Sequence, residues 1–369
     1  MILFYLILPI VILAVLRFLV ALFNYLTNPY LKDYKPASDS LVSVLIPARN
    51  EEKNIENLLV DLLDQTHSNI EVLVYDDQST DSTSQIVLQY SKNNRNISLV
   101  SGMELADGWL GKNYACYNLA QKAKGDYLLY LDADVRIKPQ FIEQSLGFMH
   151  QKKLALLSFF PYQVTKTFGE LITVPVMQWI LLSLLPLRLV QWSKRRSLSA
   201  ANGQMMMFKT DIYRKYQFHE HFKANPVEDI SIARSVKKLR YRMATLLGTE
   251  NDIQCHMYGS YDEAIAGFSK NVCDFFGGNY KVMIAFAAIT TLGPILVLFI
   301  MPFPLIFAYF FSVIMARMMV AQLSKQSAFM SVLLLPMQQF AFVQMVRAWW
   351  RSHKNGTFVW KNREITTSK

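Results

Sequence analysis

Three pairs of acidic residues are the features of this sequence whose types and spacing could do chemistry. They are Asp76 and Asp77, Asp132 and Asp134, and Glu228 and Asp229. The first two pairs each follow an apolar run typical of a β-strand, and open α/β folds bind ligands at the carboxyl ends of their strands. A carboxylate there can accept a hydrogen bond from a base or ribose, or hold a cation. The pattern indicates a site for a nucleotide-linked substrate.

Asp132 and Asp134 are separated by one residue, so their charges repel each other unless a cation neutralises them. Carboxylate oxygens are hard ligands, and Mg²⁺ is usually bound by one or two carboxylates together with substrate phosphates. The tripeptide follows the strand-like run 126–131, which strengthens a motif that is weak by itself. We therefore predict that Asp132 and Asp134 hold Mg²⁺ or Mn²⁺.

Asp76 and Asp77 allow two interpretations. Their carboxylates could accept hydrogen bonds from a base imide or a ribose hydroxyl. Alternatively, they could be turn and cap residues in front of the helix that the Ser- and Thr-rich run 79–83 opens. Both alternatives stay open at the level of the sequence.

The elements that must position these residues alternate between strand and helix. The run 43–50 is rich in β-formers, apolar residues repeat at helical spacing over 55–63, and a second strand is expected over 70–75. This β-α-β-α order favours a largely parallel sheet. The predicted fold class is α/β, with a mixed and mostly parallel sheet.

The chain resembles family 2 glycosyltransferases of the GT-A fold over nearly its whole length. The matching segments are 46–51, 76–81, 111–112, 132–134 and 228–229. Three further segments resemble bacterial carotenoid glycosyltransferases of the diaponeurosporenoate type: 108–116, 161–162 and 263–271. The resemblance implies a site for a nucleotide-sugar donor.

The resemblance also implies individual roles. The residues implied to bind the nucleotide sugar are Pro47, Ala48, Arg49, Glu51, Asp76, Asp77, Lys112 and Asp132. Asp229 takes the place of the base that deprotonates the acceptor, with Glu228 beside it. A base at this place agrees with the need of an acceptor hydroxyl for a nearby carboxylate.

The sequence departs from the family at three places. A Gln-x-x-Arg-Trp pentapeptide, which many processive synthases carry after the acidic pair, is missing, so the resemblance favours a single transfer over polymerisation. Gln78 replaces the glycine that usually follows the Asp-Asp pair, at a cost in turn flexibility. Segment 360–363 is similar to a Trp-Lys-Gly-Arg signature but has lost its glycine.

The composition predicts membrane segments, because 52% of the 369 residues are hydrophobic. We expect an uncleaved anchor over 1–27, since this stretch lacks a basic n-region and a small-residue cleavage site. The predicted domains are this anchor, a linker over 28–40, a catalytic domain over 41–280, a membrane region over 281–346 and a basic cytoplasmic tail over 347–369. Within the membrane region, 282–320 and 330–346 are the apolar candidates.

The apolar segment 168–192 needs a different interpretation. A single span here would put Asp134 and Asp229 on opposite sides of the membrane, where they could not share one substrate. We therefore predict a helix or a pair of short helices in the membrane interface, with Trp179 and Trp192 at head-group depth.

Charge and cysteine content exclude other classes. The net charge is +10, but the basic residues are not interleaved with a recognisable nucleic-acid motif. The basic runs 194–196 and 237–242 could face the anionic leaflet or a diphosphate, or could be solvated helix faces. The three cysteines form no C-x-x-C pair, so neither a disulfide framework nor a thiolate metal site is predicted. Cys255 and His256 are more consistent with a strand than with a zinc site.

Together these features predict a multi-pass membrane enzyme with a cytoplasmic catalytic domain. It would be a glycosyltransferase, inverting by the family resemblance, that moves one sugar to a lipid-soluble acceptor such as a carotenoid, another isoprenoid or a glycerolipid. The family favours UDP-glucose as the donor. One alternative is a polyprenyl-phosphate or glycan-elongating transferase. The other is a catalytically silent membrane scaffold that binds nucleotide.

Overall fold

The computed structural model describes residues 2–32, 34, 39–355, 357–360 and 363–366. The chain divides into two compact units. The helical unit comprises Met1–Asn28, Thr165–Pro186 and Met257–Lys369. The α/β unit comprises Pro29–Val164 and Leu187–His256. Elements are numbered along the whole chain.

The α/β unit contains two sheets. Its strands are β1 (Val42–Ala48), β2 (Ile70–Asp76), β3 (Ile97–Ser101), β4 (Tyr127–Leu131), β5 (Val135–Ile137), β6 (Leu156–Phe160), β7 (Tyr162–Gln163), β8 (Met205–Lys209), β9 (Met243–Leu247) and β10 (Ile253–Cys255). The central sheet has the order β3-β2-β1-β4-β8-β6-β9, and the smaller one has the order β5-β10-β7.

The central sheet is mixed and mostly parallel, as predicted. Strands β3, β2, β1 and β4 run parallel to one another, as do β6 and β9, while β8 is antiparallel to both of its neighbours. Every residue of β4 is buried, which agrees with its uniformly apolar sequence. Because β1, β2 and β4 are parallel, their carboxyl ends meet at one edge of the sheet. Asp76 ends β2 and Asp132 follows β4 at this edge.

Helices cover this sheet and lead into the site. They are α2 (Ile55–Leu63), α3 (Thr83–Asn93), α4 (Gly111–Lys122), α5 (Phe141–Lys152), α7 (Leu187–Trp192), α8 (Thr210–Tyr216), α9 (Phe218–His221) and α10 (Glu228–Lys238). Helix α2 shows why they form: Ile55, Leu58, Leu59 and Leu62 are buried and recur at the spacing of one helix face.

The helical unit consists of seven helices and a short hairpin among the described residues. The helices are α1 (Ile2–Thr27), α6 (Phe168–Leu184), α11 (Tyr261–Asn271), α12 (Tyr280–Ile300), α13 (Phe303–Leu323), α14 (Ala328–Leu333) and α15 (Leu335–Asn355). Strands β11 (Thr357–Trp360) and β12 (Arg363–Thr366) pair antiparallel. Lys361 and Asn362, in the middle of the segment 360–363, lie outside the described residues, as do residues 33 and 35–38 of the predicted linker.

Three of these helices, α1, α12 and α13, are long and apolar enough to cross a membrane. Ile7 and Val11 of α1 pack in one apolar cluster with Val297 of α12 and Tyr309 of α13. Pro302 separates α12 from α13 and caps the latter. The stretch 330–346, also a candidate from the sequence, instead forms α14 and the first part of α15, and neither is among the three spanning candidates in the described chain.

Segment 168–192 forms a pair of helices, as predicted, but the two lie in different units. Helix α6 packs in the helical unit and α7 belongs to the α/β unit. Trp179 of α6 is 5% exposed, so its ring is buried by protein rather than presented to lipid head groups. Trp192 of α7 is 63% exposed.

Candidate active site

The edge of the sheet brings the residues predicted for the nucleoside pocket together. Ala48 pairs with Asp76 across β1 and β2, and Pro47 pairs with Tyr75. The backbone of Asp77 donates to the Ala48 carbonyl at 2.8 Å. Arg49 Nη1 in turn donates to the Asp77 carbonyl at 2.6 Å and lies 3.6 Å from the Asp77 carboxylate.

Asp76 stabilises the turn that follows its strand. Its carboxylate accepts hydrogen bonds from the backbone of Ser79 at 3.1 Å and from the hydroxyl of Ser84. This is the turn-and-cap role that the sequence left open. The remaining lone pairs of the carboxylate can still contact a ligand. Gln78 adopts a φ of 55° in this turn, a left-handed conformation that glycine tolerates better.

Glu51 lies in the loop that follows β1. Its backbone donates to Thr83 Oγ1 at 2.8 Å, and its carboxylate accepts from Asn54 at 2.9 Å. Its charge also acts on Asp134, which places it on the side of the site where the D-x-D motif lies.

Lys112 and Asp132 form an ion pair at the centre of the site. Nζ of Lys112 lies 2.6 Å from Oδ1 and 2.8 Å from Oδ2 of Asp132. Lys112 is the second residue of α4, and its side chain also donates to the carbonyl of Gly203 at 3.3 Å. Burial opposes the charge of Lys112, but the carboxylates of Asp132 and Glu228 outweigh burial and raise the pKa of the ammonium group.

Asp134 is the buried member of the D-x-D motif. Burial, followed by the charges of Asp132 and Glu51, raises its pKa to about 7. Its Oδ1 is buried and has no hydrogen-bond partner among the described residues. A carboxylate in this state fits the role of a cation ligand, because a cation would both satisfy the oxygen and offset the repulsion.

The two carboxylates would supply only part of a coordination shell. In the described part of the chain, no cluster of three His, Cys, Asp or Glu side chains could hold a metal ion. Two hard protein oxygens with the remaining positions left to phosphate and water suit Mg²⁺ or Mn²⁺. The donor set therefore fits the predicted metal.

Glu228 and Asp229 open helix α10 and face the Lys112 side of the site. Asp229 Oδ2 accepts from the backbone of Gly203 at 2.9 Å, and Oδ1 accepts from the backbone of Ile230 at 2.7 Å. Burial raises the pKa of both carboxyl groups, to about 7 for Glu228. A carboxyl group with a pKa like that of Glu228 can take up a proton near neutral pH.

Gly203 connects Lys112, the ion-pair partner of Asp132, to Asp229, and sequence reasoning missed it. Its carbonyl accepts from Lys112 and its amide donates to Asp229. A methyl group added to it would lie 3.4 Å from both Glu228 Oε1 and Lys112 Nζ. The site therefore has room for a backbone at this place but little for a side chain.

Two further supports were not predicted. Asn113 is buried and its Nδ2 donates to the carbonyls of Phe222, Lys223 and Asn225, which holds the loop in front of α10 against the start of α4. Nε2 of Gln204 donates to Cys255 Sγ at 3.0 Å, and the Cys255 side chain lies close to Asp134. Cys255 ends β10, as the sequence favoured, and acts as a neighbour of Asp134.

Residues 43–217 match the sequence model described as Glycosyl transferase family 2. This match ends before Glu228 and Asp229. A 4,4'-diaponeurosporenoate glycosyltransferase of Staphylococcus haemolyticus is 26% identical over 234 residues, covering 63% of this chain and 60% of that protein. The protein of the same name from Staphylococcus aureus strain RF122 is 35% identical over 132 residues, covering 35% of this chain and 34% of that one. The chain thus spans less than two thirds of these relatives.

The solved structures that are similar over most of the chain include a mannosyltransferase. It is the mannosyltransferase PcManGT from Pyrobaculum calidifontis in complex with GDP-Man and Mn²⁺. The TM-score is 0.55 at 17% identity, with 94% of this chain and 99% of that chain covered. At this identity the similarity concerns the fold, and it confirms the predicted fold class.

Proposed function

We propose that this chain, whose residues 43–217 belong to glycosyl transferase family 2, transfers one sugar from a nucleotide-sugar donor to a lipid-soluble acceptor at a membrane. One observation carries this proposal: the backbone of Gly203 forms hydrogen bonds with the side chains of both Lys112 and Asp229. A site for a charged leaving group and a candidate base therefore lie side by side in the α/β unit.

The donor would occupy the edge formed by β1, β2 and β4. Arg49 and Asp77 lie together at the end of β1 and β2, where a nucleoside can exchange hydrogen bonds with backbone and carboxylate groups. Lys112 then lies close to the place of the diphosphate, since it pairs with Asp132. UDP-glucose is the proposed donor, on the strength of the family resemblance.

Asp132 and Asp134 would hold Mg²⁺ or Mn²⁺. A bound divalent cation stabilises the negative charge that develops on a departing diphosphate. The chain's own contribution is to hold the two carboxyl groups next to each other and to place the ammonium group of Lys112 beside Asp132. The mannosyltransferase of the same fold carries Mn²⁺ and GDP-Man in its structure, which supports a metal of this class.

Asp229 is the proposed base. The hydroxyl or carboxyl oxygen of the acceptor forms the new bond to the sugar carbon, the nucleoside diphosphate leaves with the electron pair, and the acceptor proton passes to Asp229. A single displacement of this kind inverts the configuration of the sugar carbon. Glu228 stands next to Asp229 and is the alternative base, because its pKa of about 7 also suits proton uptake.

A lipid acceptor is supported by the three helices that are long and apolar enough to cross a membrane. The names of the staphylococcal relatives favour a carotenoid acid or a related isoprenoid. We propose that the catalytic unit faces the cytoplasm, where nucleotide sugars are made. Transfer to polyprenyl phosphate and the silent scaffold are the two competing functions.

The test is to incubate membranes that contain the protein with labelled nucleotide sugars and total host lipids, and to identify labelled lipids by mass spectrometry. The expected product is one lipid that carries a single sugar. A ladder of longer products would contradict single transfer, and a labelled polyprenyl phosphate would establish the first competitor. No product with any donor, together with retained nucleotide binding, would establish the scaffold. Membranes with Asp134→Asn are the matched control.

A further inference from the structure

Two arginines are buried inside the helical unit. The sequence suggests no role for either of them in sugar transfer. Arg17 lies in α1 and Arg317 lies in α13, two of the three helices apolar enough to cross a membrane. They are 8% and 3% exposed. Charged side chains inside such helices are rare and mark functional sites, so each needs a partner.

Both guanidinium groups stack on one aromatic ring. The guanidinium carbon of Arg17 lies 4.1 Å from the ring centre of Trp179, and that of Arg317 lies 3.8 Å from it. An aromatic face attracts cations, but it does not neutralise two of them. Trp179 therefore holds two positive charges close together.

The hydrogen-bond partners of the two arginines are neutral. Arg17 donates through Nε and Nη2 to the hydroxyl of Ser183, at 3.1 and 2.6 Å. Arg317 donates to Oε1 of Gln338 at 2.9 Å, while its buried Nε has no partner among the described residues. No ion pair in the described chain joins either arginine to a carboxylate.

The arginines line a cavity of about 50 Å³ whose walls combine apolar and neutral polar residues. Ile10, Leu13, Ile289 and Val313 form part of its apolar wall. Tyr309, Thr290 and Gln339 add polar groups, and no acidic residue lines it. A second cavity of about 10 Å³ borders Arg317, where Gln178 and Ser324 each have a buried oxygen without a partner in the described chain.

We propose that Arg17 and Arg317 form a binding site for the anionic head group, carboxylate or phosphate, of a membrane amphiphile. Two guanidinium groups offer several N–H donors in the geometry that suits either head group. The apolar wall would accept the first part of the hydrocarbon chain. An anion between the arginines would supply the counter-charge that the protein lacks here.

The site can be tested without any sugar donor, so its failure and that of the proposed activity are distinguishable. The full chain is purified in a neutral maltoside detergent and its thermal unfolding is followed. Micelles are doped with oleate, with dioleoyl phosphatidic acid, or with the neutral oleyl alcohol and diolein, and inorganic phosphate is added separately. We expect the unfolding temperature to rise with at least one lipid anion and not with the neutral lipids.

Arg317→Met removes one charge while keeping an apolar stem. It should remove the rise that the lipid anion causes, and oleate or phosphatidic acid should bind about 10- to 100-fold more weakly by native mass spectrometry. It should also unfold at a higher temperature than the unmodified chain when no anion is present, because a like-charge contact is gone. Arg17→Met should behave in the same way.

Arg347→Gln is the matched control, because Arg347 is exposed on α15. Its replacement should leave the rise in unfolding temperature unchanged. A response to oleate alone identifies a carboxylate site, and a response to phosphatidic acid alone identifies a phosphate site. The proposal is overturned if the unfolding temperature rises with inorganic phosphate only, or if it rises equally with the neutral lipids. It is also overturned if the rise caused by the lipid anion is unchanged in Arg317→Met. If neither methionine variant folds, Arg317→Lys takes their place, and an undiminished response in it has the same consequence.

Discussion

The ammonium group of Lys112 lies within 2.8 Å of both carboxylate oxygens of Asp132, whereas the neighbouring Asp134 has a buried oxygen without a partner in the described chain. The two aspartates are therefore unequal. Asp132 is neutralised by the protein itself, and Asp134 is the member that most requires a cation.

Replacement of Asp134 by Asn should remove most of the transferase activity and leave membrane insertion unchanged. The amide cannot supply the negative charge that a divalent cation needs, while its shape preserves the local packing. The measurement is sugar transfer with Mg²⁺ or Mn²⁺ titrated from chelator-treated enzyme. Full activity of this variant in the presence of chelator would contradict the assignment of Asp134 as a ligand of a divalent cation.

Replacement of Asp229 by Asn should lower turnover by roughly 10²- to 10⁴-fold, the usual contribution of a positioned base. Donor affinity should barely change, since the amide oxygen can still accept the bond from Gly203 and only the local bond from the backbone of Ile230 is lost. Glu228→Gln provides the comparison. If donor binding collapses in Asp229→Asn while turnover persists, Asp229 is a nucleotide contact and the base must be Glu228.

Replacement of Gln78 by Gly should stabilise the α/β unit by about 0.5–1 kcal/mol, because Gln78 has a φ of 55° that glycine adopts without strain. Thermal unfolding in detergent measures the change. Gln78→Ala keeps the β-carbon and should give no such gain. Equal stability of the glycine and alanine variants would show that this turn carries no strain.

His219 should make stability depend on pH in the acidic range. It is buried, its Nδ1 lies 2.8 Å from the Tyr213 hydroxyl, and burial lowers its pKa to about 3 from an ordinary 6.5. Between these values the unfolded chain binds a proton that the folded chain does not. Stability is therefore complete above about pH 6.5 and falls towards pH 3, by up to about 1.4 kcal/mol per pH unit.

His219→Phe should flatten that slope, whereas replacement of the exposed His150 by Asn should not. Denaturation midpoints measured between pH 7 and pH 4.5 provide the test. An unchanged slope in His219→Phe would assign the acid sensitivity to the carboxylates.

A reporter that fluoresces only in the cytoplasm, fused after Lys369, should be bright. Basic flanks such as Arg347 and Arg351 favour the cytoplasmic side, and the proposed nucleotide-sugar donor would place the α/β unit there as well. The number of spans after residue 280 must then be even, which α12 and α13 would satisfy. A dark tail that is accessible from outside would overturn this topology.

The sequence carried enough information for the sheet edge because the first two acidic motifs follow strands, and parallel strands bring such ends together. Asp76 and Asp132 could be placed in this way. Gly203 and Asn113 could not, because they act through a backbone and through an amide that has no characteristic spacing. Whether Asp76 caps a turn also depended on Ser79 and Ser84, whose hydrogen bonds only the three-dimensional structure gives.

Trp179 shows the limit of composition as a guide. An aromatic residue in an apolar segment is typical of a membrane surface, but here the ring is covered by the arginines of two other helices. The sequence separation between Arg17, Trp179 and Arg317 hides this arrangement. Only the packing of α1, α6 and α13 brings them together.

The position of Gly203 has a consequence for mutational scanning. A scan that truncates side chains one at a time cannot remove what Gly203 contributes, because its amide and carbonyl belong to the main chain. Such a scan would score Lys112 and Asp229 as two independent losses. Combined replacement of both residues should instead lower activity by less than the sum of the two single losses. The reason is that the main chain of Gly203 positions both side chains. The most central connection of the site is thus the one that residue-by-residue inspection would overlook.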